Sequence, residues 1–349
     1  MNSSGEKNNN NTKQQIIMKI NFLSILKYSI SFLIAIAIFA YIYQGQDLGK
    51  MFNDLLATKW QWISLSMSLS LLSHVGRAWR WSLMFKPLGF QVGIYRPFLA
   101  VMVGYLANFI LPRMGEVTRC TILQRTNAIP FQQSFGTVIA ERAIDFICLV
   151  IVTLLTIFIE FDKLASVLND IFNQGQTQEG SHLKWILLGI VLIGSLIALG
   201  IWTLFKKKIQ ALDIYKKIIW ILLGLRDGFM SVLKLDKQDR VLFFVHTFAI
   251  WFLYLVTFYV LFFALTETSQ LDIYCALAGL AMSGVAIVAP VQGGIGVYHY
   301  LISKTLETYG IGENTAKFFA FMSHNSQVIL WVVVGSICLL LSLLVKKSN

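Results

Sequence analysis

The chain has 349 residues, of which 56% are hydrophobic and only 13% charged, and its mean hydropathy of +0.66 excludes a soluble globular domain. A net charge of +11 would point to nucleic acid in a soluble protein. In a chain this apolar the basic residues instead fall between hydrophobic runs, where they set orientation and meet anionic lipid headgroups, so no nucleic-acid partner is expected.

The first twenty residues are polar and rich in Asn. They lack the short apolar core and small-residue cleavage site of a signal peptide and are expected to form a disordered cytoplasmic tail over residues 1–20. Apolar runs follow near residues 23–44, 60–85, 134–159, 185–205, 241–265 and 319–345, each reaching the roughly 20 residues a helix needs to cross a bilayer. Residues 21–345 therefore read as one transmembrane domain, and residues 346–349 as a cytoplasmic C-terminus. Basic residues flank both ends (Lys7, Lys13, Lys19 and Lys27; Lys346 and Lys347), which puts both termini in the cytoplasm and makes the number of crossings even. Residues 206–240 hold nine basic and four acidic residues and read as a cytoplasmic basic amphipathic segment. The acidic balance of residues 160–183 suits the opposite side.

That order of loops fails if residues 97–111 cross the membrane. It is restored if they enter from the cytoplasm, break at Pro112 in the stretch "NFILPRMGEVTR", and return through residues 116–130. The apolar run of 14 residues, 98–111, is short for a span. A second break occurs in "APVQGGIGVYHY", where Pro290, Gly293, Gly294 and Gly296 end a short apolar helix over residues 273–289. The expected fold is an all-α polytopic membrane protein. It has about six crossing helices and two oppositely oriented re-entrant hairpins, the layout of an inverted repeat.

Broken backbone inside a bilayer is tolerated only where protein or water satisfies its polar groups, so each break marks a candidate site. At the first stand Asn108, Arg113, Glu116 and Arg119. They form either a cradle for an anion at a helix start or simple caps of two half-helices. The following helix carries "ERAID", with Glu141 and Asp145 four apart on one face and Arg142 placed to pair with Asp145. Charges at that depth face a cavity or a partner, as substrate contacts or as an internal salt-bridge network. His74, Arg77 and Trp81 share one face of the second helix, where Arg77 meets a headgroup or, with Arg80, snorkels to the cytoplasmic interface. Gln292, Gly293, Gly294, Gly296, Tyr298 and His299 surround the second break, and His324, Asn325 and Gln327 sit in the last helix. The cysteines and histidines lack ligand spacing, and no glycine-rich phosphate loop or serine elbow occurs. No cofactor, metal or catalytic residue is expected.

The order "N…LPRMGEVTR", then "ERAID", then "P.QGGIG" resembles the membrane region of lysylphosphatidylglycerol synthases, the flippase part of the multiple peptide resistance factor, with its stand-alone relatives. The resemblance covers roughly residues 22–343. It implies a flippase-like fold in a bacterial cell (inner) membrane and movement of an anionic phospholipid or a lipid-linked sugar. The family usually has Glu after the glycine turn, where this chain has His299. Members that make lysyl-lipid carry a further soluble domain using charged transfer RNA, so that synthesis is not expected here. The leading expectation is a lipid flippase or transporter, driven by a gradient, by a coupled proton on Glu141 or Asp145, or by a partner enzyme. The alternatives are a membrane scaffold subunit for a glycosyltransferase or lipid synthase, with residues 206–240 as docking surface, and a membrane-embedded lipid-modifying enzyme using Glu116, Glu141 or Asp145 as general base.

Overall fold

The computed structural model describes residue 33 and residues 48–111, 113–161, 232–288 and 291–345. The expected tail, nearly all of the first helix, the run at 185–205, most of the 206–240 segment and the last four residues lie outside the described residues. Every regular element among the described residues is helical.

A short helix α1 (Leu48–Ala57) leads into α2 (Trp60–Leu83). A loop with a 3₁₀ turn then reaches α3 (Tyr95–Ile110), which is followed by α4 (Met114–Asn127) and the long α5 (Phe131–Ile159). After the undescribed residues come α6 (Lys237–Leu261), α7 (Ile273–Val288), α8 (Val297–Thr308) and α9 (Glu313–Leu344). The helices α5, α6 and α9 are long and apolar enough to cross a membrane. At 24 residues, or about 36 Å, α2 is long enough but more polar.

Helices α3 and α4 form the first hairpin. The residue before a proline is driven out of the helical region, and Leu111 is extended at φ −135°, ψ 119°. Arg113 then turns the chain in the left-handed region at φ 64°. The limbs run antiparallel: Gly115 N–H donates to Asn108 Oδ1 at 2.7 Å near the tip, and Arg96 donates to the Thr126 carbonyl at 3.0 Å near the open end. They are pressed together at glycines, because a Cβ on Gly115 would lie 2.3 Å from the Gly104 carbonyl oxygen. Small residues are what permit such close approach in a membrane.

Helices α7 and α8 form the second hairpin. Its turn has Gly293, Gly294 and Gly296 at φ 57°, 75° and 84°, a run that only glycine adopts without strain. Helices α2 and α6 lie antiparallel, tied by the Lys59 N–H to the Ala264 carbonyl at one end and by Lys86 to Asp239 at the other. Each hairpin has its own core. The first packs with the C-terminal half of α2 and the start of α5, the second with the end of α6 and the start of α9.

The hairpins open at opposite ends of the bundle. The open end of the first adjoins the start of α5, whereas Tyr309, at the open end of the second, donates to Glu160 just past the end of α5 at 3.0 Å. Their tips meet in between, where a Cβ on Gly293 would lie 3.8 Å from the Phe109 ring. The order α2, hairpin, α5 is thus repeated by α6, hairpin, α9 in the opposite direction.

Candidate functional site: a buried arginine–carboxylate cluster

Helix α2 supplies the floor of the site. Ser66, Ser70, Ser73, His74, Arg77 and Arg80 are all buried and recur every three or four residues, so they form one polar stripe facing the bundle. The stripe is held from two sides. Ser70 donates to Gln327 Oε1 at 2.7 Å and His74 accepts from the Trp331 indole at 3.4 Å, both on α9. Farther along, Arg77 and Arg80 meet the carboxylates of α5.

Glu141 and Asp145, one turn apart, share these arginines. Arg77 Nη1 lies 2.8 Å from Glu141 Oε1, and its Nη2 lies 3.1 Å from Asp145 Oδ2. Arg80 Nη2 lies 2.7 Å from Asp145 Oδ1 and 3.4 Å from Glu141 Oε1. The hairpin enters through α4, where Arg119 donates to Glu141 Oε2 and stacks with its guanidinium 4.0 Å from the centre of the Trp81 ring. Helix α6 closes the other side: the Tyr254 hydroxyl accepts from Arg77 at 3.0 Å and the Thr247 hydroxyl accepts from Arg80 at 3.2 Å.

Relative exposures of 4%, 0%, 3% and 0% for Arg77, Arg80, Arg119 and Glu141 mean that none of these charges is solvated by bulk water. Three guanidinium groups face two carboxylates here, so one positive charge is left over within the cluster. The Nε–H groups of all three arginines are also buried without an acceptor among the described residues. Such a surplus of buried donors and cationic charge favours an anion, because each unsatisfied charged donor carries its desolvation cost.

At the edge of the cluster, Arg142 Nε sits 3.6 Å from Glu116 Oε1, with side-chain exposures of 43% and 25%. This replaces the expected Arg142–Asp145 pairing: Asp145 points to α2, whereas Arg142 points to α4. Snorkelling of Arg77 and Arg80 is likewise excluded, because α5 and α6 pack over both. Arg113 is exposed at the hairpin tip and does not join the buried group. Asn108 caps the start of α4 through Gly115, the bland one of its two expected roles. A coupled proton on Glu141 fits poorly, since both its oxygens accept from guanidinium groups and a proton there would displace an arginine.

Two family comparisons bear on this geometry. The model of the family described as "Lysylphosphatidylglycerol synthase TM region" matches residues 28–335. The chain belongs to that family. It is also 35% identical over 133 residues to the UPF0104 membrane protein MJ1595 of Methanocaldococcus jannaschii, an alignment covering 37% of this chain and 38% of that relative. No solved structure matches. Membership accounts for the helical membrane fold, and both hairpins and the arginine–carboxylate cluster fall within the matched residues.

The second break gathers a different set. Gly296 N–H donates to His299 Nδ1 at 3.2 Å, and His324 Nε2 lies 2.9 Å from the Gly293 carbonyl oxygen. The two imidazoles are 4.8 Å apart, and Tyr298 bonds Ser323 at 3.2 Å. Gln292 opens the turn Gln292–Gly294. Sequence reasoning placed Arg80 at the interface rather than in the cluster and missed Tyr254 and Thr247. The recurrence of polar residues on one face of α2 was the available signal for Arg80; Tyr254 and Thr247 carry none in an otherwise apolar helix.

Proposed function

We propose that this chain binds the headgroup of an anionic phospholipid, or the phosphate of a lipid-linked sugar, beside the first hairpin and moves it between leaflets. The observation that carries the reading is the buried cluster with its surplus cation, joined through Arg119 to a hairpin that carries the exposed Arg113 at its tip. Acyl chains would stay in lipid while the phosphate exchanges the loose Glu116–Arg142 pair for contacts to Arg142, Arg119 and Arg113. In this reading residues 21–345 form one domain with cytoplasmic termini, and residues 206–240 lie at the cytoplasmic surface. The family name supports lipid as the substrate class.

The test is reconstitution of the purified chain in liposomes with fluorescent phosphatidylglycerol, phosphatidylethanolamine or phosphatidylcholine, followed by quenching of the outer leaflet. Faster loss of the phosphatidylglycerol signal than of the phosphatidylcholine signal, slowed at least tenfold by Arg113→Gly, is expected. Equal rates for all three lipids, or full rates in that variant, would overturn the reading. Product formation in the same vesicles would support the enzyme alternative, and activity only with an added enzyme would support the scaffold.

A further inference from the structure

The second hairpin carries a feature that the lipid reading does not use. Its turn, Gly293 to Gly296, is held by two imidazoles from different elements: His299 from α8 and His324 from α9. Their roles are fixed by their partners. A carbonyl can only accept, so His324 presents Nε2–H to Gly293. A backbone N–H can only donate, so His299 Nδ1 must be the unprotonated nitrogen where it meets Gly296. The bond it makes caps the first turn of α8, whose amides have no acceptor within the helix.

We propose that His299 is a proton-binding residue whose protonation unlocks the tip of the second hairpin. A proton on Nδ1 turns the acceptor into a donor, leaving two N–H groups facing each other at 3.2 Å. It also adds a positive charge at the positive end of α8 and 4.8 Å from the ring of His324. All three changes act in the same direction: the cap is present with neutral imidazole and lost as pH falls. Among the described residues, the titratable groups seen against His299 include His324 from α9 and Tyr298 from its own helix, the latter with its hydroxyl on Ser323. Phe109, the residue of the first hairpin nearest Gly293, is apolar. Because the two hairpin tips touch at Phe109 and Gly293, release of one removes a wall from the other. The proposal does not depend on which ligand the first hairpin takes.

Hydrogen exchange of the whole chain in nanodiscs tests it, with rates corrected for the intrinsic pH dependence of exchange. Amides of residues 296–300 should exchange about tenfold faster at pH 3 than at pH 8. In His299→Gln, whose amide oxygen can accept from Gly296 but does not titrate, the difference should vanish; in His324→Gln it should persist. A flat profile in the parent protein overturns the proposal without any variant. So does a rise that survives in His299→Gln or disappears in His324→Gln, because the proton then resides elsewhere.

Discussion

Arg119 and Glu141 meet across the gap between the returning limb of the first hairpin and the long helix that follows it, joining a broken element to an unbroken one. The other oxygen of Glu141 accepts from Arg77 on α2. One carboxylate therefore pins three elements together, and its removal tests the whole arrangement.

Glu141→Gln keeps the shape and removes the charge, leaving three buried guanidinium groups against one carboxylate. Breaking a buried pair in this way costs about 3–5 kcal/mol. The variant should lose stability by that order in detergent unfolding curves, and adding Arg119→Gln should recover part of the loss. An unchanged unfolding midpoint would show that the cluster is not closed as described.

Gly115→Ala tests the hairpin contact itself. Its Cβ would fall 2.3 Å from a backbone oxygen of Gly104, which neither limb can relieve without separating, and overpacking of this kind costs about 1–3 kcal/mol. Gly136→Ala, in α5 with nothing within 4 Å of the new Cβ, serves as control and should be neutral or slightly stabilising. Equal effects on thermal stability would mean that the limbs are farther apart.

Arg113 separates backbone from charge. At φ 64° a side chain costs about 1–2 kcal/mol relative to glycine, so Arg113→Gly should be as stable as the parent protein or slightly more stable. Arg113→Val should be less stable than either. Denaturation of the three proteins side by side checks the order, and only the glycine variant then gives a clean reading of the lost charge in lipid assays.

The opposed hairpins predict a labelling pattern. Gln91 lies by the open end of the first hairpin and Gln270 by the open end of the second, and both are exposed. Single cysteines placed there should react with impermeant reagents from opposite faces of sealed vesicles, Gln91→Cys from the cytoplasmic one. Cys120, Cys275 and Cys338 are buried and should give little background. Reaction of both sites from one face would exclude the arrangement.

The hairpins were legible in the sequence because their causes are local. A short apolar run, a proline and clustered glycines act within a few residues, and the observed limbs, Tyr95–Ile110 and Ile273–Val288, fall within two residues of the expected ends. The start of α5 at Phe131, a few residues ahead of the apolar run at 134–159, is a similar small shift, set by the left-handed turn at Ala128 and by Pro130. The pairing of charges was not legible in the same way. Arg142 and Asp145 have the spacing of a helical pair, yet Arg142 goes to Glu116 and Asp145 to Arg80, because neighbours on two other helices compete for them.

By itself the sequence determined that the chain is an all-helical membrane protein of this family, with two breaks and a set of charges that had to be satisfied internally. Hydropathy, helix-breaking residues and the cost of charge in hydrocarbon act along the chain and leave their mark in order. Only the tertiary structure decided which charges meet. Arg80 lies near the end of α2, where a long cationic side chain ordinarily reaches water, and it is buried because α5 brings Asp145 to one side and α6 brings Thr247 to the other. Such contacts join residues more than sixty positions apart, and the energy that selects them depends on helix rotation and packing, which no local pattern encodes.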